Sequence, residues 1–231
     1  MRALWNSIKR GYLRLVDPIA DHLARKGVSP NEITTLGTFC TVAAGTMFAM
    51  GHVRTAGWVL GLTAVFDVLD GQVARRTGRE TVFGAFYDST LDRVADGAAL
   101  GGLVIFYASD SVHHNIPMVV VGLIGIIGAF LKSYTRARAE SLGINAKVGM
   151  IQRPERVTLL SAPQAFFGIT LHGYVLMAIV VLLALTSWIT VVQRMSLVYR
   201  ATLPAKPPAP PVDQYAANEA PTILSGDRLA R

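Results

Sequence analysis

The stretch Asp67-Val-Leu-Asp70-Gly71-Gln-Val-Ala74-Arg75 is followed, eight residues later, by Gly84-Ala-Phe-Tyr-Asp88-Ser-Thr-Leu-Asp92. On its N-terminal side lies Thr55–Phe66, 12 residues without a charge, and beyond its far end lies Gly97–Ser109, with 13. Neither window alone reaches the roughly 20 apolar residues that cross a bilayer. Each does so only by taking in the neighbouring aspartates, which gives Thr55–Ala74 and Gly84–Ser109. An acid inside or at the edge of a membrane is costly, and its default reading is functional. The fold therefore turns on these two segments.

Four further spans flank them. Ile33–Val53 and Ser111–Leu131 each hold 21 residues without a charge, and Val157–Gln193 holds 37, broken at Leu171-His172-Gly173 into two helices. Six spans put both termini on one side. The segments Met1–Pro30, Ala74–Arg93, Lys132–Arg156 and Arg194–Arg231 on that side carry 21 of the 22 Lys and Arg, leaving Arg54 alone opposite. The positive-inside rule makes the basic side cytoplasmic. Composition agrees. The 231 residues are 52% hydrophobic and 16% charged, with net charge +7, against roughly 25% charged in an average soluble domain. Low charge with a basic excess excludes a disordered chain and speaks against a nucleic-acid module, so no nucleic-acid partner is expected. A single cysteine, Cys40, excludes an internal disulfide and a cysteine metal cluster.

The expected fold is an all-α integral membrane protein of six transmembrane helices in the cell membrane, both termini cytoplasmic. Residues 1–30 read as a juxtamembrane amphipathic segment. Trp5, Ile8, Tyr12, Leu15, Val16, Ile19 and Leu23 recur at helical spacing there, with Pro18 expected to interrupt the helix. Residues 31–200 form the six-helix domain. Residues 201–231 hold six of the 11 prolines and read as a disordered cytoplasmic tail.

On helices, Asp67 and Asp70 stand i,i+3 and Asp88 and Asp92 stand i,i+4, so each pair shares a face. The short connection predicts that the two helices are antiparallel neighbours. Gly71, Ala74 and Gly84 are small residues beside those faces and leave room for a ligand. Four carboxylates converging at one membrane edge repel one another unless a cation is present. Oxygen donors at this charge density suit Mg²⁺ or Mn²⁺ rather than zinc, and two such ions about 4 Å apart form the usual clamp for phosphoryl-type displacement. The plainer alternative is that the acids pair with Arg75, Arg76, Arg79 and Arg93. Asp96, another four residues along, reads as a supporting rather than a ligating residue.

The string Asp-x2-Asp-Gly-x2-Ala-Arg-x8-Gly-x3-Asp-x3-Asp resembles, at every fixed position, the motif of the CDP-alcohol phosphotransferase family. The resemblance implies an enzyme that moves a phosphatidyl group from CDP-diacylglycerol to an alcohol and releases CMP, in a six-helix, often dimeric fold with two divalent ions. It implies that Asp67, Asp70, Asp88 and Asp92 hold the metals, that Asp92 is also the general base, and that Gly71 and Arg75 meet the cytidine diphosphate.

Beyond the motif, Lys132-Ser133-Tyr-Thr-Arg136-Ala-Arg138-Ala-Glu140 and Arg153-Pro-Glu-Arg156 gather more basic residues than a metal-bound nucleotide needs, and Arg194 ends the last span on the same side. Guanidinium forks suit a phosphate on the acceptor alcohol, although the positive-inside rule would place basic residues here regardless. These segments, with Ser29-Pro30-Asn31-x2-Thr34, resemble the bacterial phosphatidylinositol-phosphate synthases of that family over about residues 15–200. That likeness implies 1D-myo-inositol 3-phosphate as acceptor, its phosphate held by Arg136, Arg156 and Arg194, with Ser133 and Arg153 in the same basic group. It also implies that Ser29, Pro30, Asn31, Thr34 and Thr81 lie near CDP-diacylglycerol with Gly71, Ala74, Arg75 and Gly84. The rival acceptor is glycerol 3-phosphate, as in phosphatidylglycerophosphate synthase. A divalent-cation transporter is the reading from another class, and it lacks the expected repeated half.

Overall fold

The computed structural model describes residues 16–203, and all regular structure among them is helical. The expected proline-rich tail and the first half of the amphipathic segment lie outside the described residues. Helix α1 is seen at residues 16–25. It is followed by α2 (Pro30–Ala49), α3 (Val53–Thr77), α4 (Val82–Ala108), α5 (Ile116–Ser141), α6 (Arg153–Phe167), a 3₁₀ turn (Leu171–Gly173) and α7 (Tyr174–Thr202).

Local chemistry sets the helix ends. Pro30 opens α2, and Glu32 accepts from the Ser29 backbone N–H at 3.0 Å, one half of a capping box. Gly78 closes α3 in the left-handed region (φ 64°), where glycine has no Cβ to strain. Thr81 starts α4 by accepting from the Gly84 N–H at 2.9 Å, and Asn115 does the same for α5 from Met118 at 3.1 Å. At α6, Pro154 sits in the first turn and Glu155 accepts from the Gln152 N–H at 2.9 Å.

Helix α2 packs against both α3 and α4; α3 also meets α6, α4 meets α5, α5 meets α7, and α6 meets α7. Helices α3 and α4 do not pack on each other, which corrects the expectation that a short connection makes them neighbours. The reason lies in Gly45 and Gly102. A Cβ on Gly45 would strike the Ala98 backbone and one on Gly102 would strike the Gly45 backbone, so α2 and α4 touch main chain to main chain. With α2 filling that place, α3 and α4 splay apart from their connector and leave a gap lined by their aspartates. Phe48, Leu60, Leu103, Phe106, Tyr107 and Leu176 form the main core beneath.

A second apolar cluster joins Val16 and Ala20 of α1 to Ile33, Leu69 and Val73. Arg76 adds ion pairs to Asp17 at 2.6 Å and Asp21 at 3.0 Å. The described part of the amphipathic segment is thus docked on α2 and α3, with Pro18 in its first described turn.

Two described helical segments, Ile116–Ser141 and Leu171–Thr202, are long and apolar enough by composition to cross a membrane. Large apolar side chains of α5, among them Val120, Leu123, Ile124 and Ile127, are exposed, an outward face of the kind that marks a membrane or protein contact. The other segments match the expected spans in position, but α2 is rich in threonine, α3 and α4 carry acids, and α6 is 15 residues with Pro163 inside it.

Candidate active site

The gap between α3 and α4 is closed at one end by the N-terminus of α6. Arg153, the first residue of α6, reaches in and ion-pairs with Asp67 of α3 through one guanidinium nitrogen and with Asp92 of α4 through the other, the latter at 2.9 Å. Asp70 is buried and accepts from the Thr34 hydroxyl of α2 at 2.7 Å and from the Gly71 N–H. The Asp88 carboxylate makes no hydrogen bond or ion pair among the described residues.

This donor set fits a hard divalent ion in its chemistry. It is all carboxylate oxygen on two helices that face across a gap, and two of the four already converge on one cation. Among the described residues no three acids are gathered into a ready cage, because the guanidinium stands between Asp67 and Asp92. Asp67, Asp70, Asp88 and Asp92 are the residues that would hold the metal.

Next to the acids, the start of α2, the end of α3 and the start of α4 meet in one corner. Of the residues expected near the nucleotide lipid, Ser29, Pro30, Asn31 and Thr34 stand at the start of α2, Gly71, Ala74 and Arg75 in the last two turns of α3, and Thr81 and Gly84 at the head of α4. A Cβ on Gly84 would come within 3.0 Å of the Thr81 hydroxyl and 3.5 Å of the Asn31 side-chain oxygen, and one on Gly71 within 3.4 Å of the Arg75 guanidinium. Bare backbone at those positions keeps the corner open. Tyr87, which the sequence did not single out, ties it together through its hydroxyl, 2.8 Å from that of Thr35.

On the other flank lies a basic group drawn from four helices. Arg156 of α6 is 5% exposed and is paired with Asp96 of α4, itself 8% exposed. Arg194 of α7 is buried and donates to the carbonyls of Val148, at 3.0 Å, and Lys132. Ser133 of α5 accepts from Arg93 of α4. Lys132 donates to the Ile151 carbonyl at 2.8 Å. A cavity of about 20 Å³, room for one water, lies against Asp96, Arg153, Arg156, Thr41 and Thr63.

Two expected members of the phosphate group have carboxylate partners. Arg136 is exposed and pairs at 2.9 Å with Glu140 of its own helix, one turn past Lys132 and near enough to Arg194 for the two charges to interact. Arg153 faces the carboxylates, as described. Lys132 and Arg93 are the members that the sequence did not assign to the phosphate. Their signal was faint: Lys132 lies four residues before Arg136 on the same face, and Arg93 directly follows Asp92.

A helical bundle with apolar outer faces, carrying clustered acids beside a buried basic group at one end, has the make-up of a lipid-modifying membrane enzyme. The chain belongs to the CDP-alcohol phosphatidyltransferase family, whose model matches residues 27–199. It is a transferase. It is 40% identical over 185 residues to the phosphatidylinositol phosphate synthase of Mycobacteroides abscessus, covering 80% of this chain and 83% of that one. It is 35% identical over 198 residues to the archaetidylinositol phosphate synthase of Methanothermobacter thermautotrophicus, covering 86% and 95%. Among solved structures, the Mycobacterium tuberculosis phosphatidylinositol phosphate synthase with CDP-DAG bound matches with a TM-score of 0.74 at 36% identity, over 84% of this chain and 99% of that one. The same enzyme in complex with manganese and citrate matches with a TM-score of 0.74 at 35% identity, over 83% and 93%. A relative that holds manganese points to dependence on a divalent metal in this family.

Proposed function

We propose that the chain is a phosphatidylinositol phosphate synthase: it transfers the phosphatidyl group of CDP-diacylglycerol to 1D-myo-inositol 3-phosphate and releases CMP. The observation that carries this reading is the pair of buried arginines, Arg156 and Arg194, on α6 and α7 beside the acid cluster. A nucleotide lipid held at the opposite corner leaves that basic group for a second, phosphorylated substrate. The relatives' names, bacterial and archaeal, share the inositol phosphate acceptor.

In this mechanism Asn31, Arg75 and the bare backbones at Gly71 and Gly84 seat the CDP moiety. Arg136, Arg156 and Arg194, with Lys132 and Ser133 beside them, hold the acceptor phosphate by charge-assisted hydrogen bonds. Asp67, Asp70, Asp88 and Asp92 hold Mg²⁺ or Mn²⁺, two ions per site, which supply neutralisation of the pyrophosphate charge. Asp92 accepts the proton of the acceptor hydroxyl as general base. The hydroxyl oxygen bonds to the phosphorus that carries diacylglycerol. The bond from that phosphorus to the bridging oxygen breaks, and CMP leaves with the electron pair.

The same reading places six spans in the cell membrane, both termini and the site on the cytoplasmic side, with 1–30 as juxtamembrane segment, 31–200 as catalytic domain and 201–231 as tail, in a homodimer. It is supported by six long or moderately long helices in α2–α7 at the expected positions and by the one-sided distribution of Lys and Arg.

Purified protein supplied with CDP-diacylglycerol, Mg²⁺ or Mn²⁺, and one acceptor at a time tests the proposal. CMP release with 1D-myo-inositol 3-phosphate, and not with inositol or glycerol 3-phosphate, is expected. Release with glycerol 3-phosphate alone would make the chain a phosphatidylglycerophosphate synthase instead.

A further inference from the structure

Of the cationic side chains around the site, Arg153 alone bridges two of the residues assigned to the metal; Arg93 meets one of them, Asp92, at 3.5 Å. The Arg153 guanidinium joins Asp67 and Asp92, one carboxylate from each of two helices that do not otherwise touch. The oxygens it occupies are the ones a divalent ion needs, and a carboxylate lone pair directed at an N–H is not available to a metal. Its position is also incompletely satisfied: the Arg153 Nε is buried without a hydrogen-bond partner among the described residues, and an unmet buried donor carries a desolvation penalty. Arg156, three residues on, makes the contrast. Its partner Asp96, which Arg93 also approaches at 4.0 Å, is not one of the metal-assigned acids.

We propose that Arg153 is a built-in counter-cation that occupies the metal position between Asp67 and Asp92 and is displaced when a divalent ion binds, so that ion affinity is set by competition from the protein's own side chain. This rests on the proposed metal site and on no assumption about the acceptor. Without a cation, the two carboxylates repel across the gap. With Arg153 between them, the ion-free enzyme stays closed at this end, and α6 is tied to α3 and α4. When an ion arrives, the guanidinium leaves both acids, and the N-terminus of α6 is freed from them.

The test is Mn²⁺ binding to the full chain in detergent, without substrates, read by the free-ion electron paramagnetic resonance signal and by thermal unfolding. Arg153→Gln removes the competitor, and its Mn²⁺ dissociation constant is expected to fall about tenfold, equivalent to about 1.4 kcal/mol. Ion-free Arg153→Gln unfolds at a lower temperature than wild type, and saturating Mn²⁺ raises its midpoint by more than it raises that of wild type. Arg153→Lys keeps the charge without the two-pronged fork and tightens Mn²⁺ by a smaller factor; it carries the test if the glutamine variant does not fold. Adding Asp67→Asn and Asp92→Asn to Arg153→Gln abolishes the tightening. Unchanged or weaker Mn²⁺ binding in Arg153→Gln, or tightening that survives loss of both acids, overturns the inference. An enzyme that releases CMP only with glycerol 3-phosphate changes the proposed acceptor and leaves the Mn²⁺ result standing.

Discussion

Replacing Asp96 with alanine leaves the Arg156 guanidinium charged and buried without its counter-ion. Both side chains are more than nine-tenths buried, and breaking such a pair from one side costs about 3–5 kcal/mol. The adjoining cavity, about 20 Å³, can admit a water to the orphaned guanidinium, which places the expected loss near the lower end, about 3 kcal/mol. For a chain of this size that lowers the apparent unfolding midpoint on the order of 10 °C. Detergent-solubilised protein, heated in steps and passed over a sizing column with fluorescence detection, reads the change. The double variant Asp96→Ala/Arg156→Met removes both charges and recovers most of the loss, since an apolar replacement of a buried pair is often neutral. Arg156 also loses its anchor in Asp96→Ala, so the KM for the phosphorylated acceptor rises more than kcat falls. A loss below about 1 kcal/mol, or a double variant as unstable as the single, would refute the claim that this pair is desolvated and mutually dependent.

Asp92→Asn is expected to abolish CMP release while a fluorescent CDP-diacylglycerol analogue still binds; retained turnover removes Asp92 as the general base. Arg194→Ala is expected to raise the KM for inositol phosphate at least tenfold with a smaller change in kcat, and Arg136→Ala, whose guanidinium is exposed and shared with Glu140, raises it by a smaller factor. An unchanged KM in both variants would remove the acceptor phosphate from this basic group. Gly102→Ala forces a methyl group into the Gly45 backbone and is expected to cost about 1–3 kcal/mol as overpacking, measured as a lower unfolding midpoint; an unchanged midpoint would mean α2 and α4 are not in main-chain contact.

The acids were legible because their spacing alone puts them on helix faces, and because two hydrophobic windows were too short without them. The positions of α2 to α7 were legible for the same reason, from runs without charge. Threonine blurred α2: its residues 35, 38, 41 and 46 each turn the hydroxyl onto a carbonyl four residues back, so their polarity is absorbed by the helix itself. What sequence could not convey is which helices touch. The four-residue link between α3 and α4 is compatible with neighbours or with a splayed pair, and only the glycine contact between α2 and α4 decides. The same limit hides which partner each arginine meets. Arg153 and Arg156 are three residues apart and share a helix face, yet one meets the metal acids and the other Asp96. Arg136 has the same charge and turns instead to Glu140 on the exposed side of α5.

Helix α6 has a consequence for the lipid around the enzyme. Fifteen residues make a rod of roughly 22 Å, short of the roughly 30 Å hydrocarbon thickness of a bilayer. In the proposed topology the shortfall must be met by the turn through Gly168 and Leu171–Gly173, by tilt, or by a locally thinner membrane, each at a modest cost per ångström of mismatch. That cost falls on the helix whose first residues are Arg153 and Arg156. Bilayer thickness thereby becomes a variable of the active site: long, saturated chains pull on the element that positions both arginines, and short or unsaturated chains let it relax. An enzyme that makes lipid would then respond to the thickness of the membrane it builds.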